Sequence, residues 1–346
     1  MEESAFSFIR GIIVLSTVYG PVQSWRFGRS LGIDVVVPPK TCSFNCIYCQ
    51  LGRTKVKLSN PVEFKNYVTA NDVERDLEKY LADIDVKSID VVTFSGSGEP
   101  TLNPDIGDIV DRVRLLTIAE VPIVLLTNSS LLYRDEIRRK VAKFDVVVAK
   151  LDAGDEKTYR IINRPTKDSP DIEAIKESIK KLKREMKGRL MTQTMFLRTN
   201  FDFTNCEEET LTHLMDAFVE IDPDTIQIDT PYRPGGEKFL KPASVDELRT
   251  IAKSFEDLME NMNVHSELWV FGVHDKRGRK VAWKEHVSVS DEIMELLKRR
   301  PCRIVDIADS IGSSYSESRK SIKNLLQKSL IIERTSSNGE KYYYPV

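Results

Sequence analysis

Thr41-Cys42-Ser43-Phe44-Asn45-Cys46-Ile47-Tyr48-Cys49-Gln50 holds three of the chain's five cysteines within eight residues, spaced C-x3-C-x2-C. The apolar run ending Ile33-Asp34-Val35-Val36-Val37-Pro38-Pro39 precedes it, so the thiols follow what reads as a buried first strand. Thiolates suit soft metal centres and iron–sulfur clusters. With three local thiolates, a four-iron cluster keeps one iron free to bind something else. Two plainer readings stand beside this one: a zinc site, or three unrelated thiols. Structural zinc usually takes four protein ligands, and no fourth Cys or His lies near the triplet.

Downstream, short apolar runs alternate with amphipathic segments. Strands are predicted at 89–94, 121–127, 145–151, 189–198, 225–229 and 267–271, and helices at 71–81, 104–116, 134–144, 155–162, 171–187, 207–220 and 245–262. Thr69 or Asn71 would cap the first of these helices, and Asn103 with Pro104 would open the second. The first 30 residues read as a glycine-punctuated loop leading into the first strand. Such strand–helix repetition means a parallel sheet, as a barrel or a doubly wound layer. Six repeats after the cysteine-bearing strand fit a full or incomplete β/α barrel.

The character changes near residue 274. A basic linker at 274–289 carries Lys276, Arg277, Arg279, Lys280 and Lys284. Three short helices follow, the first capped by Ser290, then a hairpin with the turn Ser336-Ser337-Asn338-Gly339. This order resembles a winged helix-turn-helix. The predicted domains are therefore 1–273, the linker 274–289, and a small C-terminal domain at 290–346.

The 346 residues, 41% hydrophobic and 30% charged, describe a globular chain with material for a real core. Lys+Arg of 51 against Asp+Glu of 53 argues neither for nor against a nucleic-acid partner. From Ser290 onward, ten Lys+Arg face eight Asp+Glu, a feeble excess for a DNA-binding tail. RNA, a substrate protein or a dimer contact suits that tail equally well. The apolar patch Gly11-Ile12-Ile13-Val14-Leu15 is too short to span a membrane. An odd cysteine count with a cluster of three does not resemble a disulfide framework, which points to a reducing, cytoplasmic setting.

Catalytic residues of β/α barrels sit at the strands' C-terminal ends. The second strand ends Ser95-Gly96-Ser97-Gly98-Glu99-Pro100, where glycines permit close backbone approach and Glu99 supplies a carboxylate for an ammonium group. The third ends Thr127-Asn128-Ser129-Ser130, suited to a ligand or to helix capping. Lys150 and Asp152 end the fourth, spaced to share a face. Gln193, Arg198 and Asn200 belong to the fifth, Gln227 and Asp229 to the sixth, whose loop 230–236 is long enough for a lid. Cys206 and Cys302 are isolated ordinary thiols, and the four histidines show no metal spacing.

The triplet, followed some fifty residues later by Gly-Ser-Gly-Glu-Pro, strongly resembles the radical S-adenosylmethionine superfamily. The resemblance implies an incomplete six-unit β/α barrel holding one 4Fe-4S cluster on Cys42, Cys46 and Cys49. S-adenosylmethionine would chelate the fourth iron, with Tyr48 beside its adenine. Gly96, Gly98 and Glu99 would hold its amino group, Asn128, Lys150, Asp152 and Arg198 other parts of the cofactor. A reduced cluster would cleave it to a 5′-deoxyadenosyl radical. The implied partners are an electron donor such as ferredoxin or flavodoxin and a substrate that is RNA or protein; a cluster-sensing DNA-binding regulator is the competing class. Residues 18–34, the triplet, Lys150-Leu151-Asp152-Ala153-Gly154-Asp155-Glu156 and Asn163-Arg164-Pro165 are also similar to the wyosine-synthesis enzymes, which remodel a transfer-RNA guanosine. Archaeal members of that group carry extra cysteines ahead of the triplet. This chain has none before Cys42, which implies a relative with another substrate.

Overall fold

The computed structural model describes residues 16–65, 67–117, 121–262, 264–274, 288–336 and 339–346, with two short backbone segments at 8–9 and 12–13. Residues 275–287 of the predicted linker lie outside the described residues, as do Ser337 and Asn338 of the predicted turn and Gly11, Val14 and Leu15 of the apolar patch.

Val18–Ser24 (β1) and Gly28–Asp34 (β2) form an antiparallel hairpin where the sequence reads as a loop. The glycines that suggest a loop serve the pairing instead. Gly32 lies opposite Tyr19, and a Cβ there would fall 2.1 Å from that ring. The strand can close only because the aromatic fills the missing side chain's place.

Six strands follow, each parallel to its neighbour: Val91–Ser95 (β3), Ile123–Thr127 (β4), Val146–Lys150 (β5), Arg189–Met195 (β6), Thr225–Asp229 (β7) and Glu267–Val270 (β8). The sheet order is β8-β7-β6-β5-β4-β3-β2-β1, so seven parallel strands carry one antiparallel edge. The expected strand at 189–198 stops at Met195. Asn205 takes the Leu197 N–H at 2.8 Å and donates to the Met195 carbonyl at 2.9 Å, and Leu197–Thr199 turns away to pair with Leu240–Pro242.

Seven helices cover the outer face: Ala70–Asp83 (α1), Ile106–Leu116 (α2), Asp135–Val141 (α3), Glu156–Asn163 (α4), Ile172–Glu185 (α5), Glu208–Ile221 (α6) and Val245–Met262 (α7). Thr69 caps α1 in a reciprocal box with Asp72. α2 starts at Ile106 rather than at Pro104: Asn103 Oδ1 accepts from the Asp105 N–H at 2.8 Å in a turn ahead of the helix, and its amide donates to the Val35 and Val68 carbonyls at 2.8 Å each. Ile33, Phe94, Leu125, Val147, Leu190 and Ile228 of the strands form one core with Leu77, Val110, Ile179, Phe218 and Phe255 of the helices.

The inner face is graded. Val91, Val124, Val148 and Met191 form an apolar floor at the strands' N-terminal ends, closed by Phe27 and Trp269. Above it the face turns polar: Ser30 meets Thr93 at 2.7 Å, Tyr19 meets Ser95 at 3.0 Å, and Gln193 donates to Asp229 at 2.7 Å. Most of these polar side chains satisfy one another, while the Gln227 amide oxygen is buried with no partner among the described residues.

Val289–Arg299 (α8), Ile304–Ile311 (α9), Tyr315–Gln327 (α10) and the hairpin Ile331–Thr335 (β9) and Lys341–Pro345 (β10) complete the chain. Ile293, Leu296, Ile307, Ile322, Leu325 and Tyr343 form their own core, and Val22 of β1 is part of it. This unit is therefore packed on the antiparallel edge of the sheet. Among the described residues, no helix is long and apolar enough to cross a membrane.

Candidate metal and cofactor centre

The cysteine loop is stitched down on three sides. The Ile47 N–H donates to the Ile162 carbonyl at 2.9 Å and the Asn45 N–H to the Asn163 carbonyl at 3.0 Å, both in the last turn of α4. On a second side, Thr54 donates to the Phe44 carbonyl at 2.6 Å, and the Gly236 N–H reaches the Cys49 carbonyl at 3.1 Å. The third side is the glycine turn after β3. Thr41 N–H donates to Ser97 O at 2.9 Å and Glu99 N–H returns to Thr41 O at 3.1 Å.

That approach explains the two glycines. Gly96 and Gly98 have φ of 151° and 156°, and a Cβ on Gly98 would lie 1.6 Å from the Thr41 carbonyl oxygen. Gly98 admits the backbone of the cysteine loop, and Gly96 admits the Val36 backbone ahead of it. Glu99 likewise faces inward, 2% exposed. It accepts from Thr101 N–H at 3.1 Å, Thr101 Oγ1 at 2.6 Å, Thr127 Oγ1 at 2.6 Å and Asn128 N–H at 2.7 Å. Burial raises its pKa against the pull of those donors. A carboxylate so occupied holds the rim together, with three of its donors on Oε1 and one on Oε2.

Asn128 connects this carboxylate to the thiols, its side-chain amide lying 3.4 Å from Cys42 Sγ and 2.9 Å from Ser43 Oγ. Ser43 meets Ser130 at 2.6 Å. Asn163 does the same on the other side, 3.5 Å from Cys46 Sγ and 2.7 Å from Asp152 Oδ2. Asp152 is the hub of a second group. Tyr48 donates its hydroxyl to Oδ2 at 2.5 Å, Lys150 Nζ lies 3.0 Å from Oδ1, and Met195 N–H donates at 2.9 Å. The Lys150 ammonium also sits 4.7 Å from the centre of the Tyr48 ring. Burial, then the Asp152 charge, raises the Tyr48 pKa well above its ordinary value, so the phenol stays a donor.

The structure thus gathers Cys42, Cys46, Cys49, Tyr48, Asn128, Lys150 and Asp152, and it adds Asn163, which reads from sequence only as part of a polar loop. Arg198 is the exception. Because β6 ends early, its guanidinium is half exposed and paired with Glu247 at 2.5–2.7 Å, and none of its partners belongs to this group.

Burial raises Cys42 and, to about 11, Cys46. Cys42 and Cys46 thus hold their protons at neutral pH, and metal binding must displace them. Among the described residues no three His, Cys, Asp or Glu side chains converge on a single-ion site. Three thiolates supply the protein ligands of a four-iron cluster with one iron left open, whereas structural zinc takes four. Amide donors beside two of the sulfurs are what a cluster's charge requires.

The Radical SAM superfamily model matches residues 36–207, the span from the first cysteine's approach to the end of the loop after β6. A UPF0026 protein of Methanocaldococcus jannaschii is 34% identical over 245 residues, covering 71% of this chain and 73% of that protein. This chain belongs to the UPF0026 family and to the radical SAM superfamily. A UPF0026 protein of Helicobacter pylori is 30% identical over 288 residues, 83% of this chain and 85% of its own. The crystal structure of Streptococcus suis SuiB bound to precursor peptide SuiA shares the fold, with a TM-score of 0.50 and 17% identity; 70% of this chain spans 49% of that one. This radical SAM protein is an enzyme, and the cofactors of its superfamily, a 4Fe-4S cluster and S-adenosylmethionine, fit the thiols, the amide donors and the polar rim described above.

Proposed function

We propose that this radical SAM enzyme carries one cluster on Cys42, Cys46 and Cys49 and modifies an RNA, with its C-terminal unit acting as a winged-helix docking module. When bound, the cofactors supply an electron to a sulfonium and so a 5′-deoxyadenosyl radical that can abstract a substrate hydrogen. The chain's own residues position and shield that chemistry. Asn128 and Asn163 direct N–H groups at two sulfurs, Glu99 fixes Asn128, and Asp152 fixes Asn163, Tyr48 and Lys150. Loop 230–236 covers the cysteine loop, Arg233 donating to Gln50 Oε1 at 3.2 Å. A soluble one-electron donor of the ferredoxin or flavodoxin kind would supply reducing equivalents in the cytoplasm.

The observation that carries the RNA reading is on α10. Arg319, Lys320 and Lys323, with Lys328 just beyond, are all exposed, and none makes an ion pair among the described residues. Unpaired cations along one helix suit a phosphate backbone. The similarity to wyosine-type enzymes favours transfer RNA.

Two measurements test the proposal. Replacing all three cysteines with alanine should abolish cluster absorbance and formation of 5′-deoxyadenosine by reduced protein; persistence of both would sink the radical reading. Changing the four cations to glutamine should weaken RNA binding and flatten its salt dependence, the slope falling by about 0.7 for each phosphate no longer neutralised. Unchanged RNA binding, or a polypeptide that gains mass instead of RNA in reaction mixtures, would overturn the RNA reading.

A further inference from the structure

Well-buried arginines in this molecule are ordinarily saturated. Arg299 serves Asp34, Glu295 and the Ser16 carbonyl, and Arg138 serves Glu185, Asp135 and the Leu132 carbonyl. Arg26, Arg233 and Arg300 depart from that pattern. The Nε of each is sealed from solvent and has no acceptor among the described residues. Arg300 has the Cys302 thiol beside it, and Arg233 donates to Gln50. Neither neighbour carries a negative charge at neutral pH.

The three come from separate parts of the chain to one place. Arg26 is in the turn between β1 and β2, Arg233 in the loop after β7, and Arg300 just past α8. A run of rings links the first two: Trp25 meets Phe271 edge-on at 5.8 Å, and Phe271 stacks on Tyr232 at 4.5 Å. Arg26 lies 5.9 Å from the Trp25 ring and Arg233 4.7 Å from the Tyr232 ring. The C-terminal hairpin is tied to the same spot by Tyr342, which donates to the Tyr232 carbonyl at 3.0 Å. Burial, together with the nearby charges of Arg233 and Arg300, lowers the Arg26 pKa against the opposing Asp229. That carboxylate is already engaged, accepting from Gln193 at 2.7 Å and from Thr230 N–H at 2.8 Å. Asp306, near Arg233, is held by Arg303.

Three forked cations with inward donors unfilled, beside two carboxylates that are already occupied, leave an excess positive charge in a half-buried place. We propose that Arg26, Arg233 and Arg300 receive a phosphoryl group of the substrate, resting on the RNA reading above. Guanidinium forks match phosphate oxygens in pairs. In sheet order this place adjoins β7, β8 and β1, whereas the glycine turn follows β3 and the Tyr48–Asp152 group β5. Arg233 touches the cysteine loop through Gln50, so the place borders that loop; among the described residues the hydrogen bonds of Glu99, Asn128, Lys150 and Asp152 involve none of the three arginines. Because Arg300 belongs to the C-terminal segment, the receptor is complete only when that segment is seated on the barrel.

Calorimetric titration of the full-length chain, freed of phosphate and kept at low ionic strength, tests this with inorganic phosphate, a nucleoside 5′-monophosphate and a dinucleotide with a free 5′-hydroxyl. Phosphate should bind saturably, and about tenfold more weakly in each of Arg26→Gln, Arg233→Gln and Arg300→Gln. Arg334→Gln, on the outer hairpin, should bind as the parent does. Where a glutamine variant fails to fold, the lysine variant keeps the charge and loses the fork, and should still bind more weakly than the parent. Binding of the monophosphate alone assigns a terminal phosphate, and equal binding of the dinucleotide assigns a backbone phosphate. No saturable binding of any probe, binding untouched by the three changes, or equal binding of succinate would overturn the proposal. RNA binding by the parent and by the four-cation glutamine variant of α10 is measured separately, so a failure of the RNA reading is told apart from a failure here.

Discussion

Arg299 Nε lies 3.0 Å from Asp34 Oδ2, joining the last turn of α8 to the end of β2 across 265 residues of sequence. Both side chains are close to fully buried, at 8% and 12% exposure. The same guanidinium lies 4.5 Å from the Tyr19 ring and donates to the Ser16 carbonyl at 2.7 Å. One arginine thus clamps the C-terminal unit onto the hairpin that carries Arg26.

Removing one partner of such a pair leaves the other charge stranded. Arg299→Ala should cost on the order of 3 kcal/mol at pH 7, read by urea unfolding of the cluster-free chain. The double variant Arg299→Ala with Asp34→Asn should recover part of that loss, because no buried charge then remains. A double variant no more stable than the single one would show that packing on Tyr19 matters more than charge.

Asp34 also gives a pH dependence of known sign. Burial pushes its pKa up to about 6 from an ordinary 3.8, against the pull of Arg299. The folded state therefore holds a proton that the unfolded chain has released between those values. Its contribution to stability is fully present below about 3.8 and is lost as pH rises through about 6, amounting to roughly 2–3 kcal/mol for this single group. Asp34→Asn should remove that slope from a plot of stability against pH between 4 and 6.5. An identical slope in the variant would place the titration elsewhere.

How much of this was legible in the sequence depends on the range of the interaction. Cys42, Cys46 and Cys49, the strand at 225–229 and the helix at 245–262 are local patterns, set by spacing and periodicity, and the structure has them as read. The hairpin at 18–34 was hidden because Gly32 looks like a breaker until Tyr19 is seen across from it. Arg198 was misplaced because a distant side chain, Asn205, decides where β6 ends. Asn163 sits at the C-terminal end of α4, where an asparagine signals only a helix end; its contact with Cys46 depends on how α4 packs. Arg26 carried a faint signal, a cation between Trp25 and Phe27, but its neighbours Arg233 and Arg300 are supplied by the fold.

Gly98→Ala tests whether the glycine turn supports the cysteine loop. Any side chain there would overlap the Thr41 carbonyl, one residue before Cys42. The loop must shift, and the variant should lose iron content and about 3 kcal/mol or more of stability. Normal iron content and normal cluster absorbance after anaerobic reconstitution would refute the support role.

Asn128→Ala and Asn163→Ala remove the amide donors beside Cys42 and Cys46. Loss of such outer partners typically weakens metal binding about 10–100-fold. Each variant should therefore release iron to a chelator faster than the parent, and a less stabilised reduced cluster should shift its potential downward in a dye-linked titration. Equal potentials in parent and both variants would show that the amides only hold the loop.

Glu99→Gln is the sharpest case, because it changes almost no volume. The carboxylate accepts four hydrogen bonds, three at Oε1 and one at Oε2. A glutamine must turn its NH2 toward one set or the other. Toward Oε2 it would face the Asn128 N–H, and toward Oε1 it would face the Thr101 N–H. Either way two donors meet in a buried place and one loses its acceptor, at about 1–3 kcal/mol for the unsatisfied group. Asn128 is the residue most directly displaced, so the change should reach Cys42 as well as the global stability. Glu99→Gln should then resemble Asn128→Ala in its rate of iron release, and Glu99→Ala, which takes the acceptor from all four donors, should release iron at least as fast. Parent-like iron retention in Glu99→Gln would mean that the carboxylate's four donors do not transmit order to the cysteine loop.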